Sequence, residues 1–368
     1  MTLFAQAGPV TLHHGDVLDV LADLPDGCVD AVVTSPPYLG LRDYGVPPTD
    51  WPQVEYVPMT GLPAVTVPAM TCVLGLESEP LAYVAHLVVI FREIRRVLAL
   101  DGVCWLNLGD SYSMDSKWGG ATGGRHAKAL HGSPGGTRDR RPWPASPDKN
   151  LIGVPWRTAM ALQGDGWVLR NDLIWDKPNA MPSPVRDRLT STHEHVFLLA
   201  RGPRYFFDLD AIREPLAHPD AADGSRVFGG RHKAVSNAFL NASERTRGRA
   251  YVRSHPGGKN PGDVWSISTS AFPQAHHATM SPRLADRLVV SACPRWHCPA
   301  ACGPTSTDCG HGGRRPGVVL DPFSGAGTTG MTAIATGREY VGIDASGANL
   351  DLSLRTRLAE AVADSASD

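Results

Sequence analysis

The stretch GVVLDPFSGAGTTGMTAIATG at 317–337 constrains the fold of this chain more than any other. It reads as a short apolar β-strand, a glycine turn and a helix that Gly337 stops. A strand that feeds directly into a helix belongs to a parallel sheet, where the chain must cross over before it pairs again. The rest of the sequence repeats that alternation. Strands are predicted at 10–14, 31–34, 103–108, 168–175, 195–199, 317–320 and 340–343. Helices are predicted at 16–24, 81–98, 155–163, 282–291, 327–336 and about 348–363. The clearest helix carries Leu81, Val84, Leu87, Val88, Phe91, Ile94, Val97 and Leu98 at helical spacing, with Gly102 just past its end. Seven strands separated by helices fit one α/β doubly wound sheet, mostly parallel and covered on both faces.

Such a sheet binds ligands at the carboxyl ends of its strands, and the glycine turn lies at one. Gly325 and Gly327 allow positive φ and close backbone approach, while Thr328 opens the helix. Gly325, Gly327 and Gly330 match only part of the dinucleotide-binding spacing, so a structural tight turn remains open. The strand ends in Asp321-Pro322-Phe323. An acid there repels a pyrophosphate and suits an ammonium group. The next strand ends in Gly-Ile-Asp, which places Asp344 where an acid accepts hydrogen bonds from ribose hydroxyls. An aminoacyl nucleoside with a free ammonium, such as S-adenosyl-L-methionine, fits these residues better than NAD. Phe323 suits packing on that cofactor and equally a place in the core.

A second strand-then-turn, Asp30 to Tyr38, reads DAVVTSPPY. Pro36 and Pro37 fix φ twice and remove two donors, leaving a rigid segment whose carbonyls are free to accept. Ser35 adds a hydroxyl and Tyr38 a flat stacking surface.

Composition bounds the remaining choices. The chain has 368 residues, 42% of them hydrophobic and 20% charged, enough for a real core. No apolar run approaches the ~18 residues of a membrane span. The start, MTLFAQAGPVTLHHGD, lacks the basic and apolar regions of a secretory leader. With seven cysteines, a cytoplasmic thiol-bearing enzyme is expected rather than a disulfide scaffold. Cys293, Cys298, Cys302 and Cys309 suit either a structural zinc or a cysteine-rich surface insert; without a repeated C-x2-C spacing, no metal is assigned. Net charge is −2, yet six Lys/Arg face one acid between Lys117 and Arg141, and eight face one between Arg226 and Lys259. These are either solvated loops or arms that neutralise phosphates, with Arg245, Arg247 and Arg249 the densest run.

Thr34-Ser-Pro-Pro-Tyr38 near the start and Asp321-Pro-Phe-Ser-Gly-Ala-Gly-Thr-Thr329 near the end together resemble the amino-DNA methyltransferases. These enzymes methylate cytosine N4 or adenine N6. The order, catalytic turn first and cofactor loop last, is similar to their circularly permuted beta class. Supporting segments are Phe91-Arg-Glu-Ile-Arg-Arg-Val-Leu98, Asp172-Leu-Ile-Trp-Asp-Lys-Pro-Asn-Ala-Met-Pro182, Arg188-Leu-Thr-Ser-Thr-His-Glu194 and Gly262-Asp-Val-Trp265. The resemblance implies a seven-stranded sheet in spatial order 3-2-1-4-5-7-6, the last antiparallel, with residues 10–14 as the third strand. Asp16 then lies near the cofactor adenine, or serves as an N-cap.

The resemblance also divides the chain. Residues 1–112 form a catalytic half, 113–149 a basic insert, 150–207 the rest of the catalytic half, 208–262 a target-recognition region and 263–368 the cofactor half. It implies transfer of a methyl group from S-adenosylmethionine to the amine of a base flipped out of double-stranded DNA. Ser35 and Pro36 would accept from the amine, Pro37 would stiffen the turn and Tyr38 would stack on the base. Asp321, Pro322, Phe323, Gly325, Gly327, Thr328, Asp344 and Asp16 would hold the cofactor, and the three arginines the DNA. Serine at the head of the turn favours cytosine N4, with adenine N6 and RNA base amines as alternatives. A restriction endonuclease is the expected companion. A non-catalytic DNA-binding module would not need Ser35, Tyr38, Gly325, Gly327 and Asp344 intact, and a dehydrogenase gives no account of TSPPY. The chain contains no Pro-Cys dipeptide of the kind that supplies the thiolate for methylation at cytosine C5.

Overall fold

Seven strands, most of them joined through helices, form a single sheet, with one further strand at each edge. The computed structural model describes residues 2–40, 43–113, 147, 149–183, 185–216, 255–270, 272, 279–298 and 314–359. The sheet strands are β1 (Thr2–Ala7), β2 (Val10–His14), β3 (Val29–Thr34), β4 (Leu98–Leu108), β5 (Val168–Asp176), β6 (His193–Ala200), β7 (Val264–Ser266), β8 (Val318–Asp321) and β9 (Glu339–Asp344). Their spatial order is β1-β2-β9-β8-β3-β4-β6-β5-β7. The inner seven reproduce the permuted order expected from the sequence: β2 pairs parallel with β9, β9 with β8, β8 with β3 and β3 with β4. The antiparallel strand is β6, which runs against both β4 and β5.

The two edge strands escaped the sequence reading for physical reasons. β1 is mostly exposed and pairs with β2 through a tight turn at Gly8-Pro9, so burial gives it no alternation to detect. β7 is three residues long, and only Trp265 is buried. Two small ladders between β3 and the next helix also went unseen: Thr49–Trp51 with Met70–Cys72, and Val54–Tyr56 with Val65–Val67.

Helices cover both faces. On one lie α1 (Val17–Asp23), α2 (Pro80–Val97) and α3 (Val154–Gly164). Val20, Leu87, Ile90, Phe91, Ile94 and Leu162 from these helices share one core with Val32, Cys104, Phe197 and Leu320 of the sheet. On the opposite face lie α4 (Pro282–Ala292) and α5 (Thr328–Ala335). There Trp105 Nε1 donates to Ser291 Oγ of α4 at 3.3 Å, and Thr329 Oγ1 of α5 donates to the Val33 carbonyl at 3.2 Å. All six residues of β3 are buried, as a central parallel strand requires.

The last helix, α6 (Gly347–Arg355), is shorter than its apolar pattern suggests. The chain turns at Thr356 so that Leu358, fully buried, packs over Gly327 and Gly330 of the cofactor loop. Residues Asp208–Gly262 form a separate compact unit. Its described part is a bridge between Glu214 and Lys259, and Arg213 there pairs with Asp210 at 2.6 Å. Among the described residues, no helix is long and apolar enough to cross a membrane.

Candidate active site

The parallel strands β3, β8, β9 and β2 all end at one edge of the sheet, where Thr34, Asp321, Asp344 and His14 stand side by side. Beyond these ends opens a cavity of about 1300 Å³. It brings together Ser35, Pro36, Pro37 and Tyr38 with Asp321, Pro322, Phe323, Gly325, Thr328, Asp344 and Asp16. The turn and the loop lie almost three hundred residues apart in the chain, and they are stitched together directly. Thr34 Oγ1 donates to Asp321 Oδ1 at 2.7 Å, and the Phe323 amide donates to the same oxygen at 3.1 Å.

The Ser-Pro-Pro-Tyr turn is held from behind. Tyr83 Oη of α2 donates to the Pro37 carbonyl at 2.8 Å. Gly75 lies so close that a Cβ there would sit 3.1 Å from the Tyr38 carbonyl. The Gly75 amide is held at 2.8 Å by Glu77, which also binds His86 Nδ1 at 2.8 Å, and His86 stacks on Trp51. Cys72, Glu77 and His86 thus form a buried polar cluster that supports the turn. Cys72 ends the ladder strand Met70–Cys72, Glu77 lies in the loop before α2 and His86 lies within α2, so no sequence spacing announced it. The Pro36 carbonyl has no hydrogen-bond partner among the described residues, as an acceptor waiting for a ligand requires.

The glycines divide their work. Gly325 has φ +51°, and a Cβ on it would meet nothing nearer than the Phe323 carbonyl at 3.9 Å, so its open face belongs to the cavity. Gly327, with φ +76°, faces the other way: a Cβ there would lie 2.9 Å from Ser353 of α6. Gly327 is therefore a packing glycine at the start of α5 and does not line the cavity, a correction to the ligand-approach role expected of it.

Asp344 accepts from the Gly325 amide and the Ser346 amide, each at 2.7 Å, one on each oxygen. Its carboxylate therefore shapes the loop as well as facing the cavity, and burial raises its pKa. Burial raises Asp321 further, to about 6, against the hydrogen bonds it accepts. Asp16 caps α1 through the Leu18 amide at 2.8 Å and lines the cavity too, so its two readings are compatible. Thr328 Oγ1 is taken by Arg357, which also lies over the Phe272 ring at 4.2 Å.

Three functional residues were missed by sequence reasoning: Glu194, Lys177 and Asn107, all of which line the cavity. Tyr38 Oη donates to Glu194 Oε2 at 2.8 Å, and Asn107 Nδ2 donates to the same oxygen at 3.0 Å. Lys177 pairs with the other oxygen and lies over the Trp175 ring at 4.4 Å. Ser35 Oγ donates to Tyr38 Oη at 3.2 Å. Burial, then the Glu194 charge, holds the Tyr38 phenol well above its ordinary pKa. All three residues belong to segments singled out in the sequence, but only the β5–β6 pairing and the end of β4 show that they meet at Tyr38.

Gly109 sets the floor under that ring. A Cβ there would lie 2.6 Å from Tyr38 Cε2 and 2.8 Å from Cδ2. Gly109→Ala is expected to push the ring off its seat and lower turnover at least ~10-fold, since small misplacement near the chemistry is costly. Steady-state rates beside a thermal melt check this; an unchanged rate would show that the ring position is not limiting.

Arg245, Arg247 and Arg249 lie outside the described residues, as do Cys302 and Cys309. Cys293 is buried under the guanidinium of Arg338, which donates to its carbonyl at 2.7 and 3.0 Å.

A permuted parallel sheet, with an acid-lined glycine cradle beside a Ser-Pro-Pro-Tyr turn, defines a group-transfer enzyme of the Rossmann-like α/β class. The family described as DNA methylase (N6_N4_Mtase) matches residues 29–354, and the chain belongs to it. Among its relatives, type II methyltransferase M.Cfr9I of Citrobacter freundii is 33% identical, over 94% of this chain and 86% of its own length. Type II methyltransferase M.SmaI of Serratia marcescens is 35% identical, over 90% of this chain and 84% of its own. In fold, the chain is similar to the PvuII DNA methyltransferase (cytosine-N4-specific), with a TM-score of 0.53 at 16% identity, covering 98% of this chain and 94% of that one. The protein is a DNA methyltransferase of the N4/N6 family.

Proposed function

We propose that the protein methylates the exocyclic N4 amine of a cytosine flipped out of double-stranded DNA, with S-adenosylmethionine as methyl donor, at a specific site. The observation that carries this reading is the joint placement of the Ser35 hydroxyl, the Pro36 carbonyl, which has no hydrogen-bond partner among the described residues, and the open face of Gly325 on one cavity.

The cavity fits the cofactor chemically. Asp321 and Asp344 offer carboxylates to an ammonium and to ribose hydroxyls, and Gly325 leaves a cradle that a side chain would fill. Pro322 and Phe323 add apolar wall, and Asp16 on the same cavity would take the adenine end. When bound, the cofactor supplies an electrophilic methyl group. The protein's part is to make a poor nucleophile competent. An exocyclic amine delocalises its lone pair into the ring. Hydrogen bonds from its two N–H groups to Ser35 Oγ and the Pro36 carbonyl favour the tetrahedral nitrogen whose lone pair is free. Tyr38, seated on Gly109, offers its ring to the base.

Serine at the head of the turn supports cytosine over adenine, and the cytosine-N4 specificity named for the PvuII enzyme points the same way. The type II relatives favour a restriction-modification setting with a cognate endonuclease. We assign target recognition to 208–262 and phosphate contacts to its arginines, Arg245, Arg247 and Arg249. Nucleoside analysis by mass of DNA from an expressing strain tests the target atom: N4-methylcytosine is expected. N6-methyladenine without it would transfer the same chemistry to adenine.

A further inference from the structure

We propose that Glu194 is the proton sink of the reaction, reached from the target amine through Ser35 and Tyr38. The inference rests on the amine-methylation reading above and adds where the proton goes. Transfer would form an N–C bond with the amine lone pair and break the methyl–sulfur bond of the donor, whose electron pair goes to sulfur to leave a thioether. The methylated amine must therefore give up one N–H proton. That proton passes to Ser35 Oγ, the Ser35 proton to Tyr38 Oη, and the Tyr38 proton to Glu194 Oε2. Both hydroxyls end as they began, and the carboxylate becomes a carboxylic acid.

The hydrogen bonds already point this way. Ser35 Oγ donates to Tyr38 Oη at 3.2 Å, and Tyr38 Oη donates to Glu194 at 2.8 Å. The raised pKa of Tyr38 means that it does not ionise alone and hands on a proton only as it receives one. Lys177 and Asn107 hold Glu194 from both oxygens, so its carboxyl group is held in place against Tyr38. Asn107 itself cannot accept the proton at its amide nitrogen. Lys177 and Tyr38 are the titratable groups facing Glu194. Its strand neighbours His193 and His195 project to the opposite face of β6, where their rings meet each other. Glu194 lines the cavity with its side chain 17% exposed, which gives the proton a way out to water.

Tyr38 and Glu194 act through Ser35 and so are positioning and relay residues. The test uses the full chain with labelled S-adenosylmethionine and unmethylated genomic duplex DNA, under single-turnover conditions. Tyr38→Phe, which keeps the ring, and Glu194→Gln are each expected to lose ~10²–10³-fold in rate, the range of general acid–base catalysis. Filter binding of the DNA and calorimetry of the cofactor should stay within about threefold, because the relay acts on the transition state. The double variant should be no slower than the slower single one. Glu194→Asp, which keeps a carboxylate, should recover at least ~10-fold of the rate that Glu194→Gln loses. A Tyr38→Phe rate equal to wild type, or a Glu194→Asp rate no faster than that of Glu194→Gln, overturns the relay. A wild-type chain that transfers no methyl group to a base amine overturns the underlying reading, and the relay with it. Should Glu194→Gln fail to fold, Tyr38→Phe decides alone.

Discussion

Ser35→Ala should remove most turnover, by ~10²–10³-fold, while leaving DNA and cofactor affinity close to wild type. The hydroxyl sits at the cavity, within reach of a target amine, and nothing in the core depends on it. Its hydrogen-bond partner, Tyr38 Oη, is held independently by Glu194 at 2.8 Å. The turn keeps its shape through Pro36, Pro37 and the bond from Tyr83 to the Pro37 carbonyl. The loss should therefore fall on the rate of the chemical step and not on assembly of the site. Single-turnover methylation beside calorimetric cofactor titration checks it. A rise in the cofactor dissociation constant that accounts for the whole loss would place Ser35 among the binding groups instead.

Much of this fold was legible because its signals are local. The central parallel strands β3 and β8 are buried, mostly apolar runs, the pattern that a parallel sheet covered on both faces imposes. The permuted order was legible through the family resemblance, which gives the outer place to Val10–His14 because a single strand, Glu339–Asp344, comes after the cofactor strand. The same locality made the TSPPY turn and the glycine loop visible as adjacent-residue motifs. What stayed hidden is what long-range pairing creates. Glu194 on β6 and Lys177 just past the end of β5 are seventeen residues apart and meet only through antiparallel register, and Glu194 in turn reaches a tyrosine in the first forty residues. The Cys72, Glu77 and His86 support joins a three-residue strand too short for periodicity to register, a loop residue and a residue of α2. Gly327 shows the opposite failure. A motif identified it correctly, but motif logic assigned it to the ligand, whereas α6 folds back over it.

Asp321→Asn should stabilise the unliganded protein at neutral pH and weaken cofactor binding at the same time. Burial raises the Asp321 pKa to about 6 from an ordinary value of 3.8, so the folded state favours the protonated carboxyl. The stability this gives is full below pH ~4 and is lost as pH rises through 6, a change of about 2–3 kcal/mol. Asparagine preserves the structural bonds, since Thr34 and the Phe323 amide both donate to one oxygen, Oδ1, which an amide carbonyl can replace. It removes the buried charge, so the variant should show a flatter stability profile between pH 4 and 7 and a melting temperature above wild type at pH 8. The same substitution takes a carboxylate away from a cationic ligand. Losing one charge-assisted bond of about 1.5–3 kcal/mol corresponds to a roughly 10- to 150-fold weaker cofactor. Thermal melts across pH 4–8 together with calorimetry separate the two effects. A variant that melts higher but binds S-adenosylmethionine as tightly as wild type would leave Asp321 as a purely structural link between the catalytic turn and the glycine loop.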